Sequence, residues 1–319
     1  MRTATGWVRE KAMAFAVKRN QSVPGNIKRI VRRETERALA ALRARPADDE
    51  TIHDVRKRFK KVRAVLRLVR AEMGERTYCR ENACFRDAGR PLTEIRDAKA
   101  LLETLDDLPL ECAREISSTT LAAVRQGLEA RRDAIHKRKL EKEHVLEKVA
   151  EAIEPVLGRI PDWTFPHKGW LVLENGSKGV YKKTRRAFAE ASADPTTEKL
   201  HEWRKQAKYL WHQLQLLEPV RPKVMKKQNE QLHQLTQLLG DDHNLAVLYV
   251  TVAGDPVTYG GLNALQPLLA LITRRRDELQ KDAFRLGRRL CRDKPRVFTK
   301  RIGDYWKAWR SKSRAAQTS

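Results

Sequence analysis

Apolar positions recur every three or four residues along most of the chain, and no segment alternates apolar and polar residues. This spacing is typical of amphipathic helices, and proline and glycine clusters separate the segments. The pattern therefore predicts an all-α protein. In the first half, helices are predicted over 26–42, 51–72, 76–89, 91–108 and 111–154. In the second half, they are predicted over 181–191, 196–219 and 223–240, in a further helix capped by 241–244, and over 265–292.

A segment rich in proline and glycine lies near the middle of the chain. Residues 155–169 contain three prolines and two glycines, a composition typical of a connection between folded units. We therefore predict a first helical bundle over residues 1–155, a linker over 156–172, and a second bundle with a C-terminal tail over 173–319.

One predicted helix carries two different stripes, as the angular spacing of about 100° per residue shows. One arc holds a histidine and basic side chains: His53, Arg56, Lys57, Lys60 and Arg67. The opposite arc is apolar: Val55, Phe59, Val62, Leu66 and Val69. From residue 55 to residue 71 there are eight Lys and Arg and no acid. A solvated face usually mixes both signs, because like charges at this spacing repel each other.

The same pattern recurs 148 residues later. His201-x-x-Arg204-Lys205-x-x-Lys208 repeats the spacing of the first motif, and a second apolar stripe lies opposite it. A merely solvated basic face is the alternative interpretation of either helix. A cationic face repeated at half-chain spacing instead indicates a duplicated domain that holds a polyanion. The second apolar stripe consists of Trp203, Ala207, Leu210, Leu214 and Leu217.

Three further pairs of segments match in the same order, which indicates internal duplication rather than a short-period repeat. They pair Arg96-Asp97 with His243-Asn244, Arg131-Arg132 with Arg275-Arg276, and the segment containing Lys28 and Arg32 with the segment containing Tyr181, Lys182 and Arg185. We expect two similar bundles that face each other across an approximate twofold axis. We also expect one continuous basic surface lined by Arg56, Lys57, Lys60, Arg63, Arg204, Lys205 and Lys208, with Arg131, Arg132, Arg275 and Arg276 as neighbours.

His53 and His201 each begin a motif helix. A neutral imidazole can donate one hydrogen bond to a phosphate, and a protonated imidazole adds positive charge. The alternative is a structural histidine that bonds to a neighbouring carboxylate. The sequence leaves both roles open.

The charge balance narrows the range of partners. The chain has 66 Lys and Arg against 41 Asp and Glu, a formal net charge of +25, which favours nucleic acid, an anionic membrane surface or another polyanion. No run approaches the ~18 apolar residues of a membrane span, and no secretory signal is predicted. The cysteines lack C-x-x-C spacing and indicate free thiols in a reducing cytoplasm: Cys79, Cys84, Cys112 and Cys291.

The sequence contains no recognisable catalytic motif. It has no glycine-rich phosphate loop, no carboxylate cluster at metal spacing and no Ser/His/Asp signature. We therefore expect a protein that is not an enzyme and that uses neither a cofactor nor a metal. A nucleic-acid-binding protein is the first alternative, and weak RNA or DNA binding is expected at low salt. Such a protein needs aromatic side chains that stack on bases, and this sequence lacks them among its basic stripes, because its tryptophans suit core or linker positions. An enzyme acting on polyphosphate or nucleotides is the second alternative.

These motifs resemble those of the CHAD family, the conserved histidine α-helical domain, over residues 26–296. The resemblance rests on the two histidine motifs together with Ile95-Arg96-Asp97, Leu239-Gly240-x-x-His243-Asn244 and Gly179-x-Tyr181-Lys182. It implies one domain of two four-helix bundles, related by a pseudo-twofold axis and with basic faces lining a central pocket. An acid is common in the family at the position of Asn244, so the polar contact there is not carried over.

The resemblance also implies a function. It implies binding of inorganic polyphosphate and location at polyphosphate granules, and it implies no oligomeric state. Some relatives are fused to a triphosphate-hydrolysing domain with an E-x-E-x-K motif; this sequence has no such motif, so that activity is not carried over. The expected polyphosphate-binding residues are Lys28, Arg32, His53, Arg56, Lys57, Lys60, Arg63, Arg67, Arg96, Arg131, Arg132, Tyr181, Lys182, Arg185, His201, Arg204, Lys205, Lys208, His243, Arg275 and Arg276.

Overall fold

A computed structural model describes residues 15–44, 48–108 and 116–315. The described residues form an all-α fold with no β-strand, as predicted. The helices of the first half are α1 (Val23–Arg43), α2 (Asp49–Leu68), α3 (Arg70–Met73), α4 (Glu75–Gly89), α5 (Pro91–Asp106), α6 (Ser118–His136), α7 (Val145–Ile153) and α8 (Pro155–Arg159). The remaining helices are α9 (Leu171–Ala193), α10 (Thr197–Leu217), α11 (Pro222–Gly254), α12 (Leu262–Leu290) and α13 (Pro295–Ala315).

Both motif helices begin at side-chain caps. The Asp48 carboxylate accepts a hydrogen bond from the Thr51 backbone N–H at 2.7 Å before α2. The Thr196 hydroxyl accepts one from the Lys199 N–H at 3.3 Å before α10. Such caps satisfy backbone donors that have no partner within the helix. The predicted apolar stripes of both helices are buried; Val55, Trp203 and the other stripe residues are at most 3% exposed.

The two halves share a hydrophobic core. Its main cluster joins buried side chains of α1, α2, α4 and α7 to those of α9, α10 and α13. A second cluster lies between the end of α5, α6, the end of α11 and the first part of α12. Helix α2 packs against α9 and α10, and α5 packs against α11. The motif helices therefore lie next to each other, where the halves meet. Internal duplication and the proposed domain boundaries stay predictions.

The long helix predicted over 111–154 is wrong, because the chain turns within it. Helix α6 ends at His136, a π-helical segment covers Lys137–Lys142, and His144 adopts a left-handed conformation with φ 48°. The turn places the apolar face of α7 against α1 and α4 in the main core. The predicted start of the long helix lies outside the described residues, as does Cys112.

A helix boundary predicted at residues 240–244 is also wrong. Helix α11 continues through this segment without a break. The Asp242 side chain does not cap a helix; it is 2% exposed and accepts hydrogen bonds from Arg276 and Gln280 of α12. A tertiary contact therefore uses the carboxylate that local sequence assigns to a cap.

Two segments have more helix than predicted. The predicted linker includes α8 and a 3-10 turn over Ile160–Asp162, and α9 starts at Leu171, ten residues before the predicted helix. The predicted C-terminal tail forms α13, which buries Phe298, Ile302 and Trp306 in the main core. No helix in the described ranges combines the length and apolar character needed to cross a membrane.

Candidate functional site

Basic side chains of both motifs converge where α2, α5 and α10 meet. Lys60 experiences the charges of Arg56 on its own helix, Arg204 on α10 and Arg96 on α5. Lys208 experiences the same three arginines and Lys60. We call these five residues, Arg56, Lys60, Arg96, Arg204 and Lys208, the central cation cluster. The structure therefore brings the two motifs together, with cations from both halves of the chain.

The lysines of the cluster lie in a partly buried, strongly positive environment. Burial is the largest cause that lowers the pKa of Lys60 to about 7, and the neighbouring arginines lower it further. Burial and then Arg204, Lys60 and the other cations lower the pKa of Lys208 well below its usual range. Both effects disfavour a charged ammonium group.

Few acids offset these charges. Asp97 on α5 attracts the positive charges of Arg56, Lys60 and Arg204 and so raises their pKa values. Asp241 on α11 has the same effect on Arg204. Within the described part of the chain, neither forms an ion pair with a cluster residue. The cluster therefore has electrostatic capacity for an external anion.

The arginines of the cluster are held in different ways. Arg56 donates to the Gly89 carbonyl at 3.0 Å and to the Thr93 hydroxyl at 2.5 Å. Arg96 pairs with Glu103 at 2.8 Å. Arg204 packs over Gly240, where an added Cβ would lie 3.5 Å from its Nε. Among the described residues, the buried Nε of Arg204 and the buried Nη1 of Arg96 have no hydrogen-bond partner. These N–H groups are donors that a phosphate oxygen could satisfy.

The motif histidines make equivalent contacts in the two halves. Arg96 donates to Nδ1 of His53 at 2.9 Å. At the matched positions, Nδ1 of His201 lies 3.4 Å from Nδ1 of His243. Neither motif histidine bonds to a carboxylate in the described structure.

The pKa of His53, His201 and His243 is lowered in this arrangement, which favours the neutral imidazole. Burial and then Arg96 lower the pKa of His53 to about 4. Burial and then Arg204 lower the pKa of His243 to about 4, and the same two causes lower the pKa of His201. Because Nδ1 of His53 accepts a hydrogen bond, its proton resides on Nε2. This group can donate one hydrogen bond, as expected for a neutral imidazole.

The other motif cations have partners of their own or face solvent. Arg63 donates to Asn82 at 3.2 Å, and Arg67 donates to the Tyr78 hydroxyl at 3.1 Å while stacking over the Tyr209 ring. Lys57 is exposed, and Lys205 pairs with the neighbouring Glu202.

A depression of about 180 Å³ opens beside the cluster. It is lined by Arg56, Lys60 and Arg63 from α2, and by Arg86 and Arg90 near the end of α4. Sequence analysis missed these last two arginines, which lie outside both histidine motifs. It also missed Asp97 as a site residue, although Asp97 directly follows Arg96.

Several predicted site residues bind backbone carbonyls elsewhere in the fold. Lys28 donates to the Pro161 carbonyl at 2.7 Å, and Arg32 donates to the Leu157 carbonyl at 3.3 Å. Nothing in these contacts places them in the cluster.

The matched segment of the second half makes similar contacts. The Tyr181 hydroxyl donates to the Leu290 carbonyl at 3.0 Å, and Arg185 donates to the Cys291 carbonyl at 2.8 Å. Lys182 is exposed to solvent. Tyr181 and Arg185 hold the end of α12, rather than joining the cluster.

The paired arginines of the long helices differ between the halves. Arg276 forms an ion pair with Asp242 at 3.0 Å, and its charge contributes to the lowered pKa of His243. The charge of Arg275 acts to lower the pKa of Asp241. Both arginines therefore border the cluster. In the first half, Arg132 pairs with Asp133 and Arg131 acts on Tyr259 in the second hydrophobic cluster. The structure does not bring Arg131 and Arg132 to the site.

A larger groove of about 1020 Å³ lies outside this site, between the start of α9 and α13. It contains none of the predicted binding residues. Its basic side chains include Lys178, Lys300 and Lys307, and Lys300 already pairs with Asp304. Size alone does not identify this groove as the functional site, because the cations of the two histidine motifs meet elsewhere.

The chemistry available at the central cation cluster is anion binding. Arginine offers planar paired donors and lysine offers a mobile point charge, which together suit phosphate oxygens. In the described residues, no group of three or more His, Cys, Asp and Glu side chains could hold a metal ion.

A comparison with one solved structure agrees with this architecture. PptA from Streptomyces chartreusis has a similar solved structure, which covers 84% of this chain and 99% of its own, with a TM-score of 0.61 and 14% sequence identity. The crystal structure of the CHAD domain from the plant Ricinus communis covers 86% of this chain and 90% of its own, with a TM-score of 0.48 and 18% identity. No curated protein matches the chain.

The family comparison covers most of the sequence. The model of the CHAD domain matches residues 27–253, which include both histidine motifs and all five residues of the central cation cluster. The chain therefore belongs to the CHAD domain family, of which polyphosphate binding is a property.

Proposed function

We propose that this protein binds inorganic polyphosphate at the central cation cluster without catalysing a reaction on it. The observation that carries the proposal is the convergence of four cations from both motifs that form no ion pair with another described residue: Arg56, Lys60, Arg204 and Lys208. A chain of phosphates has no bases to be read, so it requires only charge and hydrogen-bond donors of the kind found there.

The structure also suggests how a long ligand is held. The depression beside the cluster is lined by Arg63, Arg86 and Arg90. The cluster itself is bordered by Arg275 and Arg276 from the second half of the chain. A short chain occupies the cluster, whereas a longer chain reaches these flanking cations. Each added contact is then intramolecular, so affinity increases with chain length. We further propose that the protein is located at polyphosphate granules in the cytoplasm.

Nucleic acid is the alternative ligand that the net charge of +25 favours. Single-stranded nucleic acid is normally held by aromatic side chains that stack on its bases. In this structure Trp163, Trp203 and Trp306 are at most 3% exposed and belong to the core. Weak RNA or DNA binding at low salt is therefore expected, with polyphosphate preferred at physiological salt.

Calorimetric titration of the full chain tests the proposal. Wild-type protein is titrated with tripolyphosphate, with longer polyphosphates and with single-stranded RNA at an ionic strength of about 0.15 M. A Lys60→Glu, Lys208→Glu variant reverses one charge on each motif helix. Its matched control is Lys142→Glu, Lys148→Glu, which reverses two exposed lysines outside the site. Circular dichroism verifies that all three proteins are folded.

We expect the cluster variant to lose at least about tenfold in affinity for long polyphosphate, because a charge-assisted hydrogen bond contributes ~1.5–3 kcal/mol. The control should stay within a small factor of wild type. A fluorescent fusion of wild type should accumulate on granules, and the cluster variant should be dispersed. Unchanged long-chain affinity in the folded cluster variant would exclude this site. Tighter binding of RNA than of polyphosphate would favour the nucleic-acid alternative.

A further inference from the structure

Lys60 lines the depression beside Arg56 and Arg63. Lys208 follows Arg204 by one turn on α10, which packs against α2. The three arginines of the cluster stay protonated under all ordinary conditions, whereas a lysine can release its proton. Neither lysine forms a hydrogen bond or ion pair with another described residue. The unliganded cluster can therefore relieve its repulsion and its desolvation cost only through these two ammonium groups.

The charged groups around the lysines come from every helix packed against them. Arg56 lies on α2, Arg96 and Asp97 on α5, and Arg204 on α10. Asp241 on α11 faces Lys208. The remaining titratable groups that sense one or both lysines are His53, His201, His212 and His243. Glu103 also pairs with Arg96. The five cations of the cluster outnumber these three carboxylates, so the site as a whole disfavours additional positive charge.

A phosphate polyanion reverses this balance. Its oxygens supply negative charge and hydrogen-bond acceptors within a partly enclosed site, and both favour the ammonium form of lysine. This inference rests on the function proposed above. We propose that polyphosphate binding at the central cation cluster is coupled to proton uptake by Lys60 and Lys208, so that these two lysines make its affinity depend on pH.

The expected pH dependence follows from linkage. Each lysine takes one proton from the solvent when the ligand binds, and no other bond is formed or broken. Burial and the neighbouring arginines lower the pKa of Lys60 to about 7 in the unliganded protein. Above that pH, affinity decreases as the pH rises, by roughly tenfold per unit for each proton taken up. The histidines contribute less there, because burial lowers the pKa of His53 and His243 to about 4 and also lowers the pKa of His201.

Calorimetry measures this proton uptake directly. Wild-type protein is titrated with long-chain polyphosphate about one pH unit above the pKa of Lys60, in buffers with different ionisation enthalpies. Terminal phosphates are already ionised at that pH, because their second pKa is ~6. The slope of the observed enthalpy against the ionisation enthalpy gives the protons taken up. We expect a slope between about one and two, since each of two lysines accepts at most one proton.

Arginine variants assign the protons. Lys60→Arg, Lys208→Arg keeps both charges but supplies groups that do not release them. It should bind polyphosphate with a slope near zero and with an affinity that changes little over the same pH range. The matched control is Lys142→Arg, Lys148→Arg at exposed positions outside the site, whose slope should equal that of wild type. The single variants Lys60→Arg and Lys208→Arg replace the double variant if it does not fold.

The outcomes separate the two proposals. Wild-type binding with a slope of zero would overturn proton coupling and leave the polyphosphate site intact. An unchanged slope in the arginine variants would assign the protons to other groups and would also overturn the inference. Absence of polyphosphate binding by wild type would overturn the proposed function itself.

Discussion

Replacing Gly176 with alanine should separate two helices on which the site depends. Gly176 lies in α9, where it crosses the end of α2. A Cβ at this position would lie 1.7 Å from the Leu68 carbonyl oxygen and 2.4 Å from its carbonyl carbon. Both atoms belong to the backbone of α2, so no side-chain rotation can relieve the contact. The two helices would have to move apart by more than 1 Å.

The same helix provides a matched control three residues further on. Nothing lies within 4 Å of a Cβ added to Gly179, so alanine there should stabilise the helix by about 0.5–1 kcal/mol through its helix propensity. At Gly176 the same propensity gain opposes an overpacking cost of ~1–3 kcal/mol or more. The contact involves rigid backbone on both sides, so we expect the upper part of that range. The propensity gain is common to both variants, so Gly176→Ala should be less stable than Gly179→Ala by roughly 2–3 kcal/mol.

Urea denaturation followed by circular dichroism measures this difference. Wild type should lie between the two variants, closer to Gly179→Ala. Polyphosphate affinity serves as a second measurement, because α2 carries Arg56 and Lys60. We expect it to fall in Gly176→Ala and to stay unchanged in Gly179→Ala. Equal stability of the two variants would show that α9 and α2 do not approach each other as described.

Two further substitutions test the electrostatics of the fold. Lys60→Met should stabilise the unliganded protein by roughly 3–5 kcal/mol near pH 7, because each unit by which the pKa of Lys60 is lowered corresponds to ~1.4 kcal/mol. The gain should be complete below about pH 7 and disappear by pH 10.5, because over that interval unfolded Lys60 binds a proton that the folded residue lacks; a gain independent of pH would contradict this. Glu81→Ala should cost roughly 1–2 kcal/mol in thermal or urea unfolding, because it removes the fully buried carboxylate that pairs with the partly exposed Arg159 and Arg80. A loss below the ~1 kcal/mol typical of surface ion pairs would contradict this assignment.

Sequence periodicity predicted the local structure well where a helix has one buried face. The apolar stripes of α2 and α10 are buried as predicted, and the predicted all-α class and CHAD family are confirmed. These features depend on residues three and four positions apart, which are neighbours on any helix. A single sequence therefore contains the information needed to predict them.

The errors occurred where distant residues decide the conformation. Asp242 resembles a capping residue, yet Arg276 and Gln280 from α12 bind its carboxylate and α11 continues past it. His144 has no local turn signature, yet it adopts a left-handed conformation that brings α7 onto the core. In each case a tertiary contact outweighs a local preference of about 1 kcal/mol.

The functional site also combines features set by local sequence with features set by tertiary contacts. The sequence by itself determined that two helices carry acid-free cationic stripes opposite their apolar stripes, because helical spacing alone sets that arrangement. Only the tertiary structure decided that Lys60 and Lys208 meet at one cluster, and that Lys28 and Arg32 bind backbone carbonyls instead. Likewise, Gly176 and Gly179 are equivalent in sequence, and only the crossing of α9 with α2 distinguishes them. The physical reason is that helix periodicity arises within one turn, whereas these contacts depend on how whole helices pack against each other.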